Sequence, residues 1–95
     1  RLIEEEASDI EEKIAELFFE VLGCSKFSKY SSYFALGGNS LSAIRLAKKM
    51  SAVFETKVSV SILLKFDSVY KLAEYWQHVR AKINDHQLAA QEGEL

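Results

Sequence analysis

Chemistry in this chain has one obvious place to sit: Ser40, reached through Leu36-Gly37-Gly38-Asn39 and followed by Leu41. A serine behind paired glycines can be a nucleophile, a helix cap or an attachment point. The string G-N-S-L-S approaches the nucleophile elbow G-x-S-x-G, but the closing glycine is missing and no strand is predicted ahead of the serine. A nucleophilic serine also needs a base within hydrogen-bond reach, oriented by a third group. The two histidines, His78 and His86, stand near or beyond the end of the last predicted helix, and no sign in the pattern carries either to Ser40. No catalytic residue is assigned. As a cap, Ser40 fits well, because serine is a preferred N-cap and glycines supply the turn before one.

The other reactive types give less. Two histidines eight residues apart are not an i, i+4 pair, and the single cysteine, Cys24, is far from both, so no metal site is expected. Gly37-Gly38 lacks the spacing of either standard phosphate loop. The run Glu4-Glu5-Glu6 reads as a solvated stretch.

The elements that must position Ser40 belong to one domain. Ninety-five residues bury about 60–65 % of the unfolded surface, enough for a modest core and too little for a deep enclosed site. Apolar residues are 48 % and charged residues 27 %, which argues against disorder. Twelve Lys and Arg against fourteen Asp and Glu leave a net charge of −2, without the basic excess of a nucleic-acid binder. No apolar run reaches the roughly 20 residues of a membrane span, and no signal-peptide pattern is present. One cysteine precludes an internal disulfide, and a reducing, cytoplasmic setting is the simplest expectation. The chain begins at Arg1 without a methionine and closes on a polar run, which points to a piece of a longer polypeptide.

Residues 1–7 read as an acidic linker. A helix follows, with Ser8 and Glu11 as a capping box, Gly23 as its stop, and Ile10, Ile14, Leu17, Phe18 and Val21 as its apolar stripe. Glu11, Glu12, Lys13, Glu16 and Glu20 take the other side. Residues 24–39 form a long connection that Phe27, Tyr30, Tyr33 and Phe34 are expected to pin to the core. The second helix begins at or next to Ser40 and runs to about Phe54. Ala43, Leu46, Ala47, Met50 and Phe54 share its inward arc, and Leu41, Arg45 and Lys48 lie opposite with Ile44 on the flank. A short helix is predicted over 60–66, since a lone strand there would have no partner. The last helix is capped by Asp67 or Ser68 and carries Val69, Leu72, Ala73, Trp76, Val79 and Ile83 inward, with a polar tail over 84–95. The sum is an all-α bundle of three long helices and a short third one. Leu41 and Ile44 put apolar side chains on a solvent face beside basic Arg45 and Lys48, the outline of a docking patch.

With those residues in view, the chain resembles the peptidyl carrier, or thiolation, domains of nonribosomal peptide synthetases, members of the acyl-carrier-like family. YFALGGNSLSAIRL is similar to the family's attachment motif, and ILLKFDSVYKLAEYW to the stretch joining its third and fourth helices. The likeness covers residues 10–80 or so. It implies a four-helix acyl-carrier-like fold with the carrier domain over residues 8–83. It implies that Ser40 carries a covalent 4′-phosphopantetheine arm donated by coenzyme A, with Gly38 and Asn39 at its site. Ser40 then needs no local base, because a separate phosphopantetheinyl transferase does the chemistry. The arm would hold an aminoacyl or peptidyl thioester, and its phosphate would lie at the start of the second helix, where free N–H groups favour an anion. Carried over by position, Leu41, Ile44 and Arg45 are docking residues. The implied partners are that transferase and adenylation, condensation, thioesterase or reductase domains, with no nucleic acid and no membrane, around a monomeric isolated domain. Asn39 departs from the usual His or Asp before the serine. Asp67 and Ser68 replace the usual proline and threonine. Two related readings remain, the acyl carrier of a polyketide synthase and the carrier of an adenylate-forming reductase. A helical interaction module without a prosthetic group is the alternative of another class.

Overall fold

The computed structural model describes residues 2–94, with side chains described for 2–81. Four helices follow one another: α1 (Asp9–Leu22), α2 (Ser40–Phe54), α3 (Val60–Lys65) and α4 (Val69–Glu94). This is the expected all-α arrangement with a short third helix. The only β-type pairing among the described residues is an isolated bridge between Ile3 and Phe27.

Several helix ends form where the sequence marks them. At α1 the Ser8 hydroxyl accepts from the Glu11 amide at 3.2 Å, and the Glu11 carboxylate accepts from the Ser8 amide at 2.9 Å. Gly23 ends the helix at φ 73°, a left-handed position that glycine adopts without steric cost. At α4 the Ser68 hydroxyl accepts from the Lys71 amide at 3.2 Å. Asp67 instead ties the long connection down, accepting from the Ser32 hydroxyl at 2.9 Å. Past Ile83 the expected end of α4 does not come, and the helix continues to Glu94. The sequence has no proline and no glycine between Gly38 and Gly93 to stop it. The side chains of Ile83 and His86 lie outside the described residues.

Each helix contributes to one core. Ile14 and Phe18 of α1, Ala43, Leu46 and Met50 of α2, Leu63 of α3, and Val69 and Leu72 of α4 are buried. Leu63 is the fully buried residue of α3, Val60 and Ile62 pack partly buried against the core beside it, and Leu64 faces out. Phe54 packs its ring on Trp76 at 5.0 Å between centroids.

Two further details differ from the sequence expectation. Glu11 is buried rather than solvated. Its carboxylate completes the capping box and pairs with Lys29 at 3.2 Å, which joins α1 to the connection after it. The second is the segment read as an acidic linker over residues 1–7. Its described part is docked: Ile3 is buried, the Phe27 amide donates to the Leu2 carbonyl at 2.9 Å, and the Glu4 amide donates to the Phe27 carbonyl at 3.1 Å. Glu5 accepts from the Ser28 hydroxyl at 2.6 Å and the Lys29 amide at 2.9 Å. The Ser28 hydrogen bond, then that amide, hold the Glu5 carboxyl below its usual range, so its contribution is complete above that range and fades as pH falls through the lowered value. A run of carboxylates hid one apolar anchor. Ile3→Ala should cost about 2–3 kcal/mol by urea denaturation. An unchanged midpoint would return residues 2–6 to the status of a linker.

Candidate functional site

The connection between α1 and α2 is held from below by aromatic rings. Phe27 and Tyr33 are buried, and Phe18 meets both, stacked on Phe27 at 6.0 Å and edge-on to Tyr33 at 5.1 Å. Phe34 is half-buried and packed against the core, as expected, and so is Leu36. Tyr30 is the exception. It is 58 % exposed and leans on the Tyr70 ring at 5.1 Å, so it braces the surface instead of pinning the core.

From Tyr33 onward the backbone folds tightly on itself. The Leu36 amide donates to the Ser32 carbonyl at 3.1 Å, and the Gly38 amide donates to the Tyr33 carbonyl at 3.1 Å. The two glycines have different reasons. Gly37 sits at φ 109°, where L side chains are strained, but its surroundings are open. Gly38 has no such φ, yet a Cβ there would lie 2.2 Å from Cε2 of Tyr33. Gly38 therefore makes room for an internal ring.

The helix cap is the main correction. Asn39, with extended backbone at φ −145°, is the N-cap of α2, and Ser40 is the first helical residue. The Asn39 side chain accepts from the Ser42 amide at 2.9 Å, and the Ser42 hydroxyl accepts from the Asn39 amide at 2.9 Å. Tyr33 extends this box by donating its hydroxyl to Ser42 Oγ at 2.8 Å. Burial pushes the Tyr33 phenol up, against the hydrogen bond to Ser42, so it stays protonated as that donor. Sequence reasoning missed Tyr33 and Ser42 as parts of the site. The signal was present, since Asn39 and Ser42 have the same i, i+3 spacing as Ser8 and Glu11.

Capping by Asn39 releases Ser40. Its side chain is exposed and has no hydrogen bond among the described residues. The Ser40 and Leu41 amides are likewise unclaimed there, because the cap takes the amides of Ser42 and Ala43. Leu41 is 74 % exposed and Ile44 43 %, with Arg45 and Lys48 exposed beside them. Ala43, Leu46, Ala47 and Met50 face inward. His78 is exposed on α4, as expected of a surface residue. No group of three metal-ligating side chains occurs among the described residues. The exposed serine thus has an anion-favouring helix start beneath it and an apolar-basic face running away from it.

The family described as "Phosphopantetheine attachment site" matches residues 12–76. With more than half of its length matched, the chain belongs to that family. It is similar to Gramicidin S synthase 2 of Brevibacillus brevis, at 33 % identity over 69 residues, or 73 % of this chain. The chain spans only about 2 % of the length of that relative. Among solved structures, the McyG A-PCP complexed with phenylalanyl-adenylate aligns with a TM-score of 0.71 at 27 % identity, over 78 % of this chain and 11 % of that one. The solution structure of an active-site mutant peptidyl carrier protein aligns with a TM-score of 0.72 at 25 % identity, over 77 % of this chain and 81 % of that one. No described helix is long and apolar enough to cross a membrane.

Proposed function

We propose that the chain is a carrier domain of a nonribosomal peptide synthetase and that Ser40 is its point of 4′-phosphopantetheine attachment. The observation that carries this reading is the division of labour at the start of α2. Asn39 and Ser42 cap the helix, which leaves the Ser40 hydroxyl exposed and without a hydrogen bond among the described residues.

The residues present fit the group. The hydroxyl is accessible for a phosphodiester, the unclaimed amides of Ser40 and Leu41 suit a phosphate beside them, and Gly37 leaves the approach clear. When attached, the arm supplies a thiol that holds an aminoacyl or peptidyl group as a thioester. The domain's own residues position and present. Tyr33, Ser42 and Asn39 fix the turn, Gly38 allows it, and α2 holds Ser40 at its outer end. Leu41, Ile44 and Arg45 offer a face to the enzymes that must reach the serine. The domain has no reaction of its own in this reading. It serves a phosphopantetheinyl transferase and then adenylation, condensation and terminal domains, and the tether raises the local substrate concentration each one meets. A cytoplasmic setting accords with the lone Cys24.

The test is the intact mass of the folded chain after incubation with coenzyme A, magnesium and a broad-specificity phosphopantetheinyl transferase. The expected result is a gain of one phosphopantetheine. No gain with two different transferases would overturn the reading in favour of a binding module.

A further inference from the structure

The bend between α3 and α4, residues 66–68, divides its polar work in two. Ser68 caps α4 through the Lys71 amide, so the helix does not need Asp67 for that task. Asp67 reaches across to the connection before α2 and grips it twice. Its carboxylate accepts from the Ser32 hydroxyl at 2.9 Å, and its carbonyl accepts from the Tyr33 amide. A proline at this position, which the family resemblance leads one to expect, would bring no carboxylate. Ser32 passes the constraint on, because its Oγ also accepts from the Phe34 amide at 3.2 Å. The Tyr70 amide donates to the Lys29 carbonyl at 2.9 Å and ties the start of α4 to the same connection. The ion pair from Asp67 to Lys71 is looser, at 3.5 Å on a lysine that is 57 % exposed, and adds little.

The gripped residues lead straight to Ser40. Tyr33 is fixed at both ends, its amide on Asp67 and its hydroxyl on Ser42 Oγ at 2.8 Å. Ser42 in turn closes the capping box with Asn39, and Ser40 lies between those two residues. Hydrogen bonds and one buried ring thus join the bend after α3 to the first turn of α2. The Ser40 hydroxyl makes no bond of its own among the described residues, so its position is inherited from this frame. The later turns of α2 are held separately, by Leu46, Ala47 and Met50 in the core.

Resting on the carrier reading, we infer that Asp67 is a positioning residue for the modification of Ser40. Through Ser32 and Tyr33 it holds the loop that sets the first turn of α2, and so fixes where the Ser40 hydroxyl stands when the transferase closes on it. The effect belongs to the chemical step. The rest of α2 stays in place without Asp67, while a small displacement of a reacting atom is costly.

The split between kcat and KM separates positioning from stability. The carrier is the substrate in this reaction, so a partly unfolded population raises the apparent KM and leaves kcat alone. A displaced hydroxyl on a docked carrier lowers kcat instead. Asp67→Ala removes the carboxylate and keeps the carbonyl that accepts from Tyr33. With coenzyme A and the broad-specificity transferase, its kcat should fall on the order of 10-fold at nearly constant KM. Asp67→Asn should recover most of that loss, because its side-chain oxygen still accepts from Ser32. Ser32→Ala should fall as Asp67→Ala does, and the double variant should be no slower than the slower single one. Lys71→Ala should keep the wild-type kcat. Circular dichroism checks helicity, and Ser32→Ala carries the test if Asp67→Ala loses it. A wild-type kcat for Asp67→Ala and Ser32→Ala, a change confined to KM, or an Asp67→Asn as slow as Asp67→Ala overturns the inference and leaves the carrier reading standing. Failure of the wild type to accept the group at all overturns the carrier reading and the inference with it.

Discussion

Gly38→Ala is expected to be the most damaging single methyl in the molecule. The added Cβ would stand 2.2 Å from Cε2, 2.4 Å from Cδ2 and 2.8 Å from Cζ of Tyr33. The ring has little room to retreat. It is buried, edge-on to Phe18 at 5.1 Å and to Phe34 at 5.4 Å, and its hydroxyl is held by Ser42. Forcing an atom into such packing costs about 3 kcal/mol, which in a domain of this size lowers Tm by on the order of 15 °C. Gly37→Ala makes the internal control. It has open surroundings and loses only the freedom of its φ of 109°, a cost of roughly 1–2 kcal/mol. Thermal melts of the two variants should therefore differ clearly. Trimming the obstacle should show coupling: Gly38→Ala combined with Tyr33→Leu should be less destabilising than the sum of the two changes. Equal melts for the two glycine variants would mean that backbone freedom, and not the Tyr33 ring, is what the pair provides.

The second large effect is a separation of stability from modification along the start of α2. Ser40→Ala removes a hydroxyl with no bond among the described residues, so stability should stay within about 0.5 kcal/mol of wild type while phosphopantetheinylation falls to nothing. Asn39→Ala does the reverse. It removes the cap that accepts from the Ser42 amide, costs about 1 kcal/mol, and leaves a modifiable serine. Ser42→Ala should resemble Asn39→Ala and cost more, because it also strands the buried Tyr33 hydroxyl. Denaturation midpoints read beside intact masses give both quantities for each variant. A Ser40→Ala protein as destabilised as Asn39→Ala would show that Ser40 serves the fold.

Much of this was legible in the chain, for reasons that differ by element. Helix α1 announces both its ends, because Ser8, Glu11 and Gly23 each satisfy a local need of a helix terminus. The inward arc of α2 follows from periodicity alone, and Ala43, Leu46, Ala47 and Met50 are buried as the wheel requires. What periodicity could not reveal was long-range pairing. Glu11 reads as a surface carboxylate until Lys29 comes to meet it, and Ile3 reads as part of a charged linker until Phe27 pairs with it. The end of α4 is hidden because a polar composition does not by itself stop a helix that meets no breaker. At the site, preference statistics favour serine as a cap, but asparagine is equally good and stands one residue earlier. That single register choice decides whether Ser40 is occupied or free. The internal role of Gly38 depends on where the Tyr33 ring lies, which no local pattern states.

Attachment at Ser40 has to be distinguished from attachment at its neighbours, since Ser42 lies two residues away and Ser31 and Ser32 lie on the same connection. The most direct test is fragmentation mass spectrometry of the modified chain, read for the residue that bears the phosphopantetheine. The expected fragments place it on Ser40, with Ser42 unmodified because its hydroxyl is engaged by Asn39 and Tyr33. A group located on Ser42, or on any other serine, would contradict it.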